Sequence, residues 1–307
     1  MIRLGTLFSG IGAIEQALLK MKLVHENVFA CDNGELELKI LPSAKQKRFD
    51  ELKKIASYRI KNEEREELKC LTEEENVQLD LHLNKIRSFR TVHEKKCFVD
   101  ELYKNFSSGE NLVKKTYLAN YTINEDDFHY DIRLLDGVAY ENKVDLMVGG
   151  SPCQSFSSNG KRGGFADTRG TLFHHYARII SEVKPKCFIF ENVRGMLVHD
   201  NGNTWTVIKN TFEELAYTIY LHKDSMGKES PLLNASDYGI PQTRRRLFVV
   251  GYLDRDKQFV FPDKMDLQFN MADFMIDNCP LGSFKYDENG NVLKVDEAKN
   301  ADKKSKR

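Results

Sequence analysis

Nowhere in the sequence is there an apolar run long enough to span a membrane, so no membrane anchor is expected. No secretory leader precedes the first predicted strand, which starts at once with Ile2 to Phe8. The six cysteines, at 31, 70, 97, 153, 187 and 279, form no Cys-x-x-Cys pair and no other metal-binding spacing. That argues against a metal site and a secreted disulfide framework, and predicts a reducing, cytoplasmic setting. An excess of charge of either sign is missing too. There are 46 basic and 46 acidic residues, so composition does not announce a nucleic-acid binder. Any DNA affinity must come from local clusters of Lys and Arg. No internal repeat is visible. With 41% hydrophobic residues among 307, the chain can bury one large core, with or without a small second domain.

Residues 2–8 (IRLGTLF) read as a buried strand, Ser9 to Gly12 as a small-residue turn, 13–22 as a helix and 26–31 (ENVFAC) as a second strand ending at Asp32. That order opens a doubly wound α/β domain with a mostly parallel sheet. The pattern then changes. Residues 34–118 are rich in Lys, Glu and Leu and nearly free of Gly and Pro, which predicts two to four inserted helices, one starting at a capping box of Thr72 and Glu75. Sheet logic resumes at Phe128 to Ile132, with further strands at 144–149, 187–190 and 247–252 and helices at 172–183 and 204–217. The expected division is a catalytic domain over 1–33 and 121–262, a helical insertion over 34–120 and an extension over 263–307. That extension is weakly ordered from about residue 281, and a basic run ends it at Arg307.

A Gly-rich turn leaving the first strand lets a ligand approach the backbone and the N-terminus of the next helix. Here the turn is Phe8-Ser9-Gly10-Ile11-Gly12. A dinucleotide site would want glycine at position 15, but Glu15 stands there and would repel a pyrophosphate, though not a cationic sulfonium. Asp32 sits where an acid can take both hydroxyls of a ribose, or it caps the segment beginning at Asn33. Asp131 follows another short strand. It can accept from an adenine amino group or serve as a turn residue. Together the two acids describe an adenosine pocket.

Residues 149–173 read GGSPCQSFSSNGKRGGFADTRGTLF. They leave the strand Val144 to Val148 at its carboxyl end, where α/β domains place their sites. Gly149, Gly150 and Pro152 form a tight turn presenting Cys153. A buried cysteine is often a small core residue, but Pro152, Gln154 and Ser155 make a loop rather than a core context. The following Gly-rich loop carries Lys161, Arg162 and Arg169, which can close over DNA and contact phosphate.

The Pro-Cys-Gln turn resembles the DNA cytosine-5 methyltransferase family, as do Glu191-Asn192-Val193, Gln242-Thr243-Arg244-Arg245-Arg246 and the opening LFSGIG. The likeness runs from residue 4 to about residue 252, interrupted by the helical insertion. It implies the S-adenosylmethionine-dependent methyltransferase fold and transfer of a methyl group to carbon-5 of cytosine in double-stranded DNA. Cys153 is then the nucleophile that adds to carbon-6 and makes carbon-5 reactive. Its thiolate is favoured by nearby positive charge. Glu191 is implied to hydrogen-bond ring nitrogen-3 and the exocyclic amine, acting as a proton donor in a closed apolar site; a salt bridge to the arginine cluster is its structural alternative. Arg246 is implied to reach the cytosine carbonyl oxygen with Arg244 in support, both pointing one way along a strand while Arg245 faces the other. Phe8, Ser9, Gly10, Gly12, Asp32, Asp131, Ile132 and Leu172 are the implied cofactor residues. Gln154, Ser155, Ser157, Lys161, Arg162 and Arg169 are the implied DNA contacts. A cytosine in a duplex hides its carbon-6 face, so the base must be flipped out.

The sequence departs from the family after Tyr252. Only about 55 residues follow, without the Gly-Asn-Ser motif; Gly290-Asn291-Val lies in the wrong context. The expectation is therefore a catalytic subunit of a split enzyme, or a truncated one, from a bacterial or phage-infected cell, with a second subunit carrying target recognition and the last motifs. Restriction–modification is the setting the family suggests. The rivals are a tRNA cytosine-5 methyltransferase and a catalytically silent cofactor- or DNA-binding subunit; a nicotinamide-dependent dehydrogenase is more distant because of Glu15.

Overall fold

The computed structural model describes residues 1–56, 60–152, 171–224 and 226–267. Among them eight strands form one sheet: β1 (Ile2–Leu7), β2 (His25–Cys31), β3 (Phe128–His129), β4 (Leu146–Gly149), β5 (Cys187–Val193), β6 (Thr218–Tyr220), β7 (Leu232–Asn234) and β8 (Arg245–Tyr252). Their order is β3-β2-β1-β4-β5-β8-β6, with β7 also paired to β8. The strands from β3 across to β5 run parallel, and β8 pairs antiparallel with β5, β6 and β7. The chain builds outward from β1 to β2 and β3, then returns to lay β4 on the other side of β1. That reversal opens a crevice at the carboxyl ends of β1 and β4, where open α/β sheets bind ligands.

Both faces of the sheet are clothed. Helix α1 (Ala13–Lys20) sets Leu18 and Ile14 against Leu4 and Val148. On the opposite face α6 (Leu172–Val183) and α7 (Asn203–Glu214) press Phe173, Tyr176, Ile180, Ile208 and Phe212 against Met147, Phe188, Phe190 and Leu247, all fully or almost fully buried. A large apolar side chain so buried contributes about 1.5–3 kcal/mol. This cluster is the main anchor of the strand ends. The mostly parallel doubly wound sheet expected from the sequence is the architecture found.

Among the described residues, the segment after Asp32 holds four helices: α2 (Ser43–Ala56), α3 (Asn62–Ser88), α4 (Val92–Phe106) and α5 (Leu112–Asn120). The helix start expected at Thr72 is absent. Thr72 lies inside α3, and its hydroxyl donates to the Leu68 carbonyl one turn back, a bond a helical threonine makes readily. The capping box stands instead at Thr91 and Glu94, at the start of α4. The expected division at residue 120 also differs from the packing. Tyr117 of α5 is fully buried in a cluster with Ala30 of β2 and Phe128 of β3, so α5 is part of the sheet domain's packing.

By compactness the chain divides into two units, Met1–Asn234 with Arg244–Asp263, and Ala235–Thr243 with Lys264–Arg307. The sheet and helices α1 to α7 all belong to the first. In the second, Ala235–Asp237 forms one helical turn, the Met265 N–H donates to the Asp237 carbonyl, and Lys264 pairs with the Asp237 carboxylate at 2.8 Å. No helix among the described residues is long and apolar enough to cross a membrane.

Candidate active site

Three backbone positions after β1 lie at positive φ: Phe8 at 54°, Gly10 at 54° and Gly12 at 89°. For Phe8 this is a strained conformation of the kind that clusters at binding sites. The Gly10 N–H donates to Asp32 Oδ2 at 2.8 Å, and the Gly34 N–H donates to Oδ1 at 2.8 Å. Asp32 therefore locks the glycine turn to the end of β2 and closes an Asx turn on Gly34; it caps no helix. Nothing lies within 4 Å of where a Gly10 side chain would begin, so a ligand can approach that backbone. Beneath the turn, the Glu15 carboxyl is fully buried and accepts hydroxyl hydrogen bonds from Thr6 and Tyr117. An acid at the first turn of α1 is a poor seat for a pyrophosphate and suits a cofactor of positive charge. Phe8, Ile132 and Leu172 come from three distant segments, and all three belong to or pack against the main apolar core. The residues present thus fit an adenosine-bearing sulfonium cofactor.

Asp131 differs from the sequence expectation. It is buried, and its two oxygens take the Arg133 N–H, the Arg133 guanidinium and the Tyr103 hydroxyl. Burial pushes its pKa up, but Arg133 and these hydrogen bonds outweigh that and hold it below the usual carboxylate range. Little acceptor capacity is left for an amino group, so Asp131 as it stands holds Arg133 rather than facing a ligand.

The reacting end is built from β4, β5 and β8. In register, Val193 lies opposite Arg246 and Glu191 opposite Phe248. Arg246 Nε reaches Glu191 Oε1 at 2.9 Å, with the carboxylate 37% exposed and the guanidinium 23%. The salt bridge named as the alternative for Glu191 is thus present, and it sits open at the strand ends. Arg245 begins β8 opposite Asn234, and Arg244 precedes the strand; both are exposed. Next to this pair, the backbone leaves β4 through Gly149 and Gly150. A Cβ on Gly150 would lie 2.1 Å from the Glu191 carbonyl oxygen, so only glycine fits that approach. Asn192 Nδ2 donates to the Ser151 carbonyl at 2.7 Å and pins the turn that runs on through Pro152. Cys153, Gln154, Ser155, Ser157, Lys161, Arg162 and Arg169 lie outside the described residues.

Sequence reading missed four residues that hold these loops: Asn192, Asn111, Tyr103 and Tyr121. Asn192 had a visible signal, since it occupies the buried phase of β5 shared by Phe188 and Phe190. The other three have none, because each acts across a long stretch of chain.

A doubly wound sheet with a glycine turn and an acid at the carboxyl ends of its strands is the frame of an α/β domain that binds a nucleoside-bearing ligand. Residues 98–306, more than half of the chain, match the family described as C-5 cytosine-specific DNA methylase. The chain belongs to that family. It is 39% identical over 173 residues to the type II methyltransferase M.SsoII of Shigella sonnei, covering 55% of this chain and 42% of the relative. It is 45% identical over 148 residues to the type II methyltransferase M1.ScrFI of Lactococcus lactis subsp. cremoris, covering 48% and 35%. With the orphan methyltransferase M.SPRI of Bacillus phage SPR, identity is 37% over 170 residues, covering 55% and 36%. The match therefore spans less than half the length of each of these curated relatives. A crystal structure of S. pombe Dnmt2 methyltransferase aligns with a TM-score of 0.44 and 13% identity, over 84% of this chain and 51% of that one.

Proposed function

We propose that this chain carries the methyl-transfer chemistry of a DNA cytosine-5 methyltransferase, acting on a cytosine flipped out of double-stranded DNA. The observation that carries this reading is the open Glu191–Arg246 pair beside the Asn192-pinned turn that leads into Cys153. S-adenosylmethionine, when bound, supplies a methyl group on a cationic sulfur. Cys153, as thiolate, adds to carbon-6 of the ring, and the electron pair displaced toward nitrogen-3 makes carbon-5 nucleophilic. Glu191 meets nitrogen-3 and the exocyclic amine. Arg246 leaves Glu191 to take the cytosine carbonyl oxygen, which frees the carboxyl group to hold a proton. Arg244 supports it from the exposed approach. After methyl transfer a water-assisted base takes the carbon-5 proton, and the electrons of that C–H bond re-form the double bond between carbon-5 and carbon-6 as the Cys153 thiolate leaves.

In this reading the cofactor rests on Phe8, Ser9, Gly10 and Gly12, with Asp32 toward the ribose and Ile132 and Leu172 flanking the base. Asp131 keeps the Ile132 turn in place through Arg133. Gln154, Ser155, Ser157, Lys161, Arg162 and Arg169 contact DNA. In this reading a second subunit takes part in sequence recognition. The setting is restriction–modification in the cytoplasm of a bacterial or phage-infected cell.

The test is transfer of labelled methyl to duplex DNA, with and without the product of the adjacent reading frame. Cys153→Ser is expected to abolish transfer while cofactor binding survives, and the unaltered chain is expected to form a covalent adduct with DNA containing 5-fluorocytosine. No adduct under either condition defeats the catalytic reading. Equal activity of the isolated chain and the mixture defeats the second subunit.

A further inference from the structure

Helix α5 and its two caps bond the glycine turn and the elements on either side of it at three points. At its N-cap, Asn111 Oδ1 accepts from the Lys114 N–H at 2.8 Å while Nδ2 donates to the Asp32 carbonyl at 2.8 Å. At mid-helix, the Tyr117 hydroxyl donates to Glu15. At the C-cap, the Tyr121 hydroxyl donates to the Gly12 carbonyl at 2.7 Å. The Tyr121 ring also lies against Gly12, where a Cβ would sit 2.0 Å from the ring. One further contact comes from α4, whose Tyr103 hydroxyl donates to Asp131 Oδ2 at 2.9 Å.

We infer that Asn111 and Tyr121, at the two ends of α5, are positioning residues for cofactor binding, with Tyr103 serving the neighbouring acid loop. The inference rests on the reading of the glycine turn as the S-adenosylmethionine seat. The bonds form two arms around the open Gly10 backbone. One runs from Asn111 to Asp32 and on to the Gly10 N–H; the other runs from Tyr121 to the Gly12 carbonyl. Gly10 and Gly12 both have positive φ, and glycine resists such settings least but also abandons them most easily. Left alone, the turn would sample several backbone orientations and bind through only some of them. A helix braced on both sides selects one. Tyr121 is only half-buried, so its hydroxyl adds little to overall stability; its effect is on the direction of one carbonyl.

The experiment measures binding of S-adenosylmethionine to the full chain by equilibrium dialysis, together with melting temperature. Tyr121→Phe keeps the ring and removes the hydroxyl. Asn111→Asp keeps the acceptor that caps α5 and replaces the donor to Asp32 with a second acceptor. Thr116→Ala, on the same helix, removes only a hydroxyl bonded to the Leu112 carbonyl and serves as the comparison. The expected result is a Kd raised about fivefold by Tyr121→Phe and about tenfold or more by Asn111→Asp. Thr116→Ala is expected to bind normally, and Tyr121→Phe and Thr116→Ala should melt within about 2 °C of the unaltered chain; Asn111 is buried, so Asn111→Asp is expected to melt several degrees lower, and its binding is measured well below that melting point. Normal binding by both position variants, while the unaltered chain binds, would overturn the inference and leave the cofactor reading standing. A rise in Kd for Tyr121→Phe only in step with a fall in its melting temperature would overturn it too, by showing a merely structural role. Absence of binding by the unaltered chain would overturn the cofactor reading itself and this inference with it.

Discussion

The glycine turn after β1 and the exit of β4 and β5 both stand at the carboxyl ends of parallel strands, yet different means hold them. The turn is fixed by side chains from far along the chain: Asn111, 79 residues from Asp32, and Tyr121, 109 residues from Gly12. The β4–β5 exit is fixed by register and by backbone approach. The strands are paired residue by residue up to Gly149 and Phe190, and Gly150 then passes the Glu191 carbonyl with no room for a side chain. A turn held by separate hydrogen bonds loosens step by step as they are removed, each worth about 1 kcal/mol. A backbone crossing held by close packing has no such gradation. The cofactor end should therefore respond to mutation in graded affinity, and the reacting end in abrupt loss.

The largest effect expected is at the reacting end. Glu191→Gln should lower methyl transfer by about 10²–10⁴-fold, the range of a positioned proton donor, and leave cofactor affinity unchanged. Labelled-methyl transfer and equilibrium dialysis on the same preparation check both halves of that statement. Affinity falling together with rate would mean that the two regions are not separable. Next in size is a pair of glycines. Gly150→Ala must push β4 and β5 apart at the Glu191 carbonyl and should cost about 1–3 kcal/mol in urea unfolding. Gly10→Ala meets no neighbour and bears only its positive φ, about 1 kcal/mol. If Gly150→Ala proves no more costly than Gly10→Ala, the close crossing does not hold the reacting end.

The sequence made legible what is local. The glycine turn, its strand and helix, the strand ending in Glu191 and the strand led by the arginines all came from windows of under ten residues, where apolar alternation and glycine placement act directly. Residues acting across the chain were hidden. Nothing near Asp131 in sequence announces Tyr103, and only the fold brings its hydroxyl to that carboxylate. Even Arg133, two residues on, carries no local mark of the burial that sets it between the carboxylates of Asp131 and Glu75. The strands β6 and β7 escaped because each has three half-buried residues, too short for a period of two to register. The Thr72 error has the same root. A Thr-x-x-Glu pattern marks a helix start only when the chain enters there, and at Thr72 the helix had already been running from Asn62.

The smallest effect expected probes the seam between the two regions. His175, in the first turn of α6, is buried, and among the described residues its Nδ1 has no hydrogen-bond partner. Facing it are Arg178 and His174 of its own helix, and Asp131 and Arg133 of the acid loop. Burial, reinforced by Arg178 and His174, pulls its pKa from 6.5 down to about 3. Between those two values the unfolded chain binds a proton that the folded chain refuses, so stability must fall as pH drops below 6.5 and stay level above it. For one such group the loss between pH 8 and pH 6 is about 1 kcal/mol. His129, displaced in the same direction by burial, adds to the total, so the difference between variant and parent isolates His175. His175→Leu should flatten that share of the slope in urea unfolding at pH 8, 7 and 6. An unchanged slope would mean that the folded ring takes up its proton as readily as the unfolded one, with Asp131 drawn toward His175 as well as toward Arg133. The acid loop would then be tied to α6 by charge as well as to the insertion, and the two regions would be coupled through it.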